Sequence, residues 1–232
     1  MKNCIFASKD NHWSNSLFSK LDSSPKANWV RVQNKTELKD ALRDEQFDWV
    51  FFFHWSNIVP NSIYDNNRCV VVHTSNLPEG RGGSPLQNQI VDGIISSRVN
   101  ALRMVGDVDA GPVYDSRPIT FQGSLFDIWM TIADISHSII SDMVDNEKNN
   151  MPVEQKISDF EKSYKRRKGS LVDLYDLEGL SDVYDRIRML DAEGYPVPQL
   201  SVGNFTIELS RAKFDGERLI CDATITKGEH DE

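Results

Sequence analysis

The chain has 232 residues, 39% of them hydrophobic and 26% charged, enough for one substantial core and a smaller appendage. Its formal net charge of −9 argues against a nucleic-acid partner, because gripping phosphates needs concentrated Lys and Arg. Its longest purely apolar run, "WVFFF" at residues 49–53, is too short to cross a bilayer, so no membrane partner is expected. Cys4, Cys69 and Cys221 are odd in number, far apart and in no metal-ligand spacing, which fits reduced thiols in a cytoplasmic protein and no metal site. The stretch "MKNCIFASKD" has no long apolar region ending in small residues, so no secretion signal is expected.

Along residues 1–120, strand-like and helix-like segments alternate. "NCIFAS" (3–8) and "NWVRV" (28–32) read as short buried strands, and "TELKDALRDE" (36–45) as a helix. "DWVFFF" (48–53), "CVVVH" (69–73) and "NALRMV" (100–105) read as further strands. Apolar strands separated by helices predict a mainly parallel sheet covered on both faces, with ligands beyond the carboxyl ends of its strands. His73 falls at such an end. "GSLFDIWMTIADISHSIISDMV" (123–144) keeps apolar residues at helical spacing, with Ser124 and Asp127 as an N-terminal capping pair. His137 lies off that stripe and reads as solvated.

A polar break at 144–152 and a basic cluster, "KRRK" at 165–168, separate a main α/β domain (residues 1–150) from a small α+β appendage (residues 160–232). The appendage reads as one helix, "LSDVYDRIRMLD" (180–191), a turn at "EGYPVP", and two strands, "FTIEL" (205–209) and "RLICDATI" (218–225).

The chemistry-bearing stretch is "HTSNLPEGRGGSP" at residues 73–85. Taken piece by piece it is bland: a histidine at a strand end is often only hydrogen-bonded structure, and "GRGG" alone is a tight turn. As a whole it resembles the H-x-S-x-L-P-x-x-R-G-x-x-P signature of the folate-dependent formyltransferases. A second block, "GDVDAGPVY" (106–114), is similar to the family's acidic block and places Asp109 36 residues after His73, the spacing the family uses. "HWSNIVP" (54–60) lies where the family lines its pterin pocket.

The resemblance implies a Rossmann-like formyltransferase core with the appendage on the substrate side. It also implies that 10-formyl-tetrahydrofolate is the formyl donor, held by Trp55, Asn57, Ile58, Met104, Val105, Gly106 and Asp109. In the family an Asn, a His and an Asp act together; His73 and Asp109 match, but the Asn position is Val71 here. Asn88 and Asn76 are the nearby candidates to replace it, and Asn88 is the first choice because a helix starting near Pro85 would place it in the opening turn. His73 suits donation to the oxyanion formed during formyl transfer and proton shuttling, with Asp109 orienting it.

For the acceptor, residues 165–232 carry 10 Lys and Arg against 14 Asp and Glu, unlike the basic C-terminal domain of a methionyl-tRNA formyltransferase. "YKRRKGS" and "IRMLDAEGYP" resemble blocks of the sugar N-formyltransferases, including relatives in pseudaminic acid clusters. That resemblance implies a nucleotide-linked amino sugar such as a UDP-4-amino-4,6-dideoxy-hexose, bound through Asn76, Arg81, Gly82, Lys165, Arg166 and Tyr195, and a homodimer. Trp55 or Tyr195 could stack on the nucleobase or simply belong to the core. The alternatives are a methionyl-tRNA or small-metabolite formyltransferase, or an inactive relative that binds folate or a nucleotide sugar.

Overall fold

The computed structural model describes residues 1–146, 151–156, 162–168 and 177–228. Its elements run β1 (Lys2–Ser8), α1 (His12–Asp22), β2 (Ala27–Val32), α2 (Lys35–Asp44), β3 (Trp49–Phe53), α3 (Asn61–Tyr64), β4 (Cys69–Thr74), β5 (Arg81–Gly82) and α4 (Pro85–Val91). They continue with β6 (Ser96–Arg103), β7 (Val113–Thr120), α5 (Leu125–Asp145), β8 (Ser163–Tyr164), α6 (Leu180–Arg188), β9 (Gln199–Val202), β10 (Phe205–Phe214) and β11 (Leu219–Lys227).

Every residue of β3 and the last five of β1 are buried. Strands apolar on both faces need cover on both sides, and the chain supplies it with parallel crossovers. β1 pairs in parallel with β2 and β3, and β3 in parallel with β4. The sheet order is β2-β1-β3-β4-β6-β7. The mixed α/β fold with a mostly parallel central sheet is therefore as expected, with one difference: β6 runs antiparallel to β4, setting Asn100 opposite His73.

Local signals explain the helices. Asn11 caps α1 by accepting the Ser14 N–H at 2.8 Å, and Trp13, Leu17 and Leu21 bury its inner face. Asn34 caps α2 through the N–H groups of Thr36 and Glu37, both at 3.0 Å. Ser124 and Asp127 form the capping pair expected ahead of α5, with Asp127 accepting the Ser124 N–H at 2.9 Å and Ser124 Oγ accepting the Asp127 N–H at 3.2 Å. The sequence reading passed over α1, whose four large apolar residues, Trp13, Leu17, Phe18 and Leu21, are spread among Ser, Asn and Lys.

By compactness the chain forms two units that interleave in sequence. One comprises Met1–Gly82, Ser97–Ile119 and Met130–Ser163; the other comprises Gly83–Ser96, Thr120–Trp129 and Tyr164–Glu232. The second contains the antiparallel sheet β11-β10-β9. Its α6 buries Arg188, which pairs with Asp185 at 2.5 Å and donates to the carbonyls of Phe121 and Gly123, both at 3.2 Å. Among the described residues no helix is long and apolar enough to cross a membrane.

Burial pushes the Cys4 and Cys69 thiols up to about 12, so almost no thiolate is present near neutrality. Cys221 is partly exposed and its thiol is raised less far, again by burial. Titration with Ellman's reagent at pH 8 should therefore modify Cys221 alone in the native protein and all three cysteines in denaturant. Rapid native reaction of Cys4 or Cys69 would contradict the packing of β1 and β4.

Candidate active site

β4 delivers His73 at its carboxyl end, 6% exposed. The neighbouring strand holds it there: the Asn100 amide donates to the carbonyls of His73 at 3.2 Å and Ser75 at 2.8 Å, while its Oδ1 accepts from Ser116 Oγ at 2.6 Å. The sequence reading had no role for Asn100; the signal was a polar residue set among the apolar Val99, Ala101 and Leu102.

The imidazole lies between two acceptors. Nδ1 is 3.3 Å from Asp109 Oδ2, and Nε2 is 3.0 Å from the Gly80 carbonyl oxygen. A neutral ring has one N–H, so both contacts are hydrogen bonds only when the ring is doubly protonated. Asp109 Oδ2 also accepts the Gly82 N–H at 3.1 Å, and its Oδ1 has no protein partner among the described residues. One carboxylate oxygen thus anchors the histidine and the loop, and the other is open to accept a proton.

Two close approaches shape the loops. Asp109 sits at φ +54°, a left-handed conformation that Asp tolerates better than most side chains. Gly111 is obligatory, because a Cβ there would lie 1.8 Å from the Arg103 carbonyl oxygen. In the glycine-rich loop, the Gly80 N–H donates to the Lys162 carbonyl at 2.7 Å.

The other expected site residues fall into separate groups. Trp55 and Met104 pack on the core cluster that includes Val50, Phe52 and Cys69, as does Val71. Trp55 Nε1 is buried without a hydrogen-bond partner among the described residues. Val105 and Gly106 begin the loop that carries Asp109. Asn57 and Asn76 are exposed, and Ile58 is 83% exposed. Arg81 donates to Gln155 Oε1 through its guanidinium at 2.6 Å.

Asn88, Lys165, Arg166 and Tyr195 belong to the second unit. Asn88 lies in the opening turn of α4, and its amide donates to the carbonyls of Gly83, Ser84 and Lys165, each at 3.0 Å. Its Oδ1 accepts from Arg167 at 3.2 Å. The amide expected to serve an oxyanion is thus engaged in tying the "GS" of the loop to the basic stretch. Gly83 packs so tightly there that a Cβ would lie 2.8 Å from the Arg166 backbone. Burial, and then the nearby Arg186, pull the Arg167 guanidinium below its usual range. Burial pushes the Tyr195 phenol up while Trp129 Nε1 donates to its hydroxyl at 3.0 Å, so this ring is packed by its own unit.

The fold matches a known group. A methionyl-tRNA formyltransferase structure from Clostridium thermocellum superposes with a TM-score of 0.88 and 33% identity, covering 98% of this chain and 100% of that one. The chain belongs to the formyltransferase family. Residues 168–226 match the methionyl-tRNA formyltransferase C-terminal domain family. The methionyl-tRNA formyltransferase of Sulfurovum sp. is 31% identical over 78 residues, 34% of this chain and 26% of that protein. The match therefore spans only about a quarter of that curated relative's length. A 4-N formyltransferase from Francisella tularensis shares the fold, with a TM-score of 0.65 at 14% identity over 99% of this chain and 98% of that one.

Removing the Asn88 amide strips three carbonyls of a donor, at about 1–3 kcal/mol for the groups left unsatisfied. Asn88→Ala should lower the melting temperature by roughly 2–10 °C, read by circular dichroism. An unchanged melt would reject the tie described here and return Asn88 to candidacy as a catalytic donor.

Proposed function

We propose that this formyltransferase moves the formyl group of 10-formyl-tetrahydrofolate to the amine of a nucleotide-linked amino-deoxy sugar. The observation that carries the reaction class is the His73–Asp109 pair at 3.3 Å, set beside a glycine-rich loop at the end of a buried strand. The folate fits what is present. Trp55, Val71 and Met104 offer apolar surface for a pterin, and the orphaned Trp55 Nε1 is a buried donor lacking an acceptor. When bound, the folate supplies the activated formyl carbon.

The chain's own residues do the rest. His73, lying between two acceptors, donates through Nε2 toward the carbonyl oxygen as negative charge develops there. Asp109 would stabilise positive charge on the imidazole through Oδ2, accept the amine's proton at Oδ1, directly or through water, and return it to the folate nitrogen that is released as its bond to the formyl carbon breaks. Val71 removes one amide donor, so this site leans more heavily on His73 than the family pattern does.

For the acceptor, the matched C-terminal segment favours RNA by kinship, and its charge argues the other way. Residues 168–226 carry 6 Lys and Arg against 11 Asp and Glu, a field that repels a polyanion. Arg166, Arg167 and Arg186 have no carboxylate within ion-pair distance among the described residues. A cluster of that size suits the two phosphates of a nucleotide-linked sugar better than an extended RNA backbone. In this proposal residues 1–150 form the catalytic core, and residues 160–232 supply Lys165 and Arg166 on the substrate side. A homodimer is also proposed: Val202, Phe205 and Ile225 are each more than half exposed on one face of the small sheet.

The test is folate turnover on a panel of UDP- and dTDP-linked 4-amino-4,6-dideoxy sugars, beside methionyl-tRNA. Turnover with a sugar nucleotide is expected; formylation of methionyl-tRNA alone would overturn the acceptor assignment. On the active acceptor, His73→Asn and Asp109→Asn should each lower kcat by roughly 10²–10⁴-fold with the fold intact. A variant within tenfold of wild type would remove that residue from the chemistry.

A further inference from the structure

Asp109 is held from behind by a side chain that the pair itself does not explain. Gln155 Nε2 donates to the Asp109 carbonyl at 2.9 Å and to the Gly111 carbonyl at 2.8 Å. Its Oε1 accepts from Arg81, at 3.1 Å from Nε and 2.6 Å from the terminal nitrogen. Both amide hydrogens and the oxygen are thus committed, and each end reaches a different loop of the site. The segment bearing Gln155 is itself pinned two residues earlier, where Val113 and Val153 exchange N–H···O bonds of 2.8 and 2.9 Å.

We propose that Gln155 is a positioning residue that fastens the left-handed turn at Asp109 to Arg81 and so sets the aim of the Asp109 carboxylate at His73. The physical need is specific. A non-glycine residue at φ +54° is held in a sparsely populated conformation, which persists only where surroundings fix it. Without the amide, two carbonyls lose their donor and the turn can relax. The carboxylate then swings, because the Asp109 side chain has only Oδ2 tethered, to His73 and the Gly82 N–H. Only an amide serves both ends: the Asp109–Gly111 turn requires donors, and Arg81 requires an acceptor. Glutamate keeps the Arg81 end and loses the other; methionine keeps the length and loses both.

The inference rests on the His73–Asp109 reading, and its test separates the two without needing an acceptor. In ¹⁵N imidazole NMR spectra, His73 is identified among the five histidines by its loss in His73→Asn. The Nδ1–H proton should lie downfield and be lost in Asp109→Asn. In Gln155→Met it should move upfield or broaden while the thermal melt stays cooperative, and Gln155→Glu, which covers the case that Met fails to fold, should do the same. If Asp109→Asn leaves the signal unchanged, the pair is wrong. If Asp109→Asn removes it but both Gln155 variants keep it unmoved, the pair stands and the role of Gln155 is overturned. With an active acceptor, either variant should lower kcat by about tenfold or more at nearly constant folate KM, the signature of misplacement rather than lost binding.

Discussion

One carboxylate oxygen organises the site. Asp109 Oδ2 is shared between His73 Nδ1 at 3.3 Å and the Gly82 N–H at 3.1 Å, so a residue after β6, the end of β4 and the glycine-rich loop converge on one atom. Each contact is modest alone, a hydrogen bond to a charged group being worth about 1.5–3 kcal/mol. Their value lies in joining three stretches that are far apart in sequence. The antiparallel pairing of β4 with β6 is what brings them together, since it sets His73 beside Asn100 and returns the chain toward Asp109. A parallel β6 would reach the sheet only after a longer crossover, and its carboxyl end would not lead back in this way.

The glycines and the polar clamps around this atom answer the same constraint from two sides. Gly111 lets the chain pass against the Arg103 carbonyl, and Gly83 lets the loop pass against the Arg166 backbone. Close passage leaves carbonyls facing away from regular ladders, and buried carbonyls need donors. Asn100 and Gln155 are those donors in the unit that holds His73 and Asp109, each an amide spending its hydrogens on carbonyls of a site loop, and Asn88 does the same within its own unit. These amides share one structural logic, and none of them needs to touch substrate to matter.

This division explains what the sequence made legible. The buried strands, the capping pair ahead of α5 and the His73 and Asp109 spacing are local or motif-level signals, and each has its counterpart in the structure. The three amide clamps were not readable in those roles because an amide's partners are set by tertiary approach. Asn100 was the first residue of the strand read at 100–105, and Gln155 fell between the polar break at 144–152 and the basic cluster at 165–168. Asn88 was placed correctly at a helix start, while its engagement with Lys165, 77 residues on, has no trace in local pattern. The antiparallel turn of β6 was hidden for the same reason: an apolar strand reads identically in either direction.

Val71 gives the last step. By strand alternation it lies on the same face as His73, and it packs with the apolar cluster that also receives Trp55 and Met104. A family asparagine there would share the oxyanion with the histidine; valine leaves His73 Nε2 as the donor of that strand face. Yet Nε2 is engaged with the Gly80 carbonyl at 3.0 Å, so the loop and the reacting oxygen compete for one N–H. The competition has a clear direction. From a doubly protonated ring the contact to the Gly80 carbonyl is worth about 1.5–3 kcal/mol, whereas the same N–H facing a developing negative charge joins two opposite charges and gains further in a dry site. In the proposed reaction, the Gly80 carbonyl holds the Nε2–H before charge develops, and the hydrogen bond passes from the loop to the oxyanion as charge develops. On that proposal His73 binds the ground state weakly and the charged state strongly, and that difference is the part of binding that accelerates a reaction.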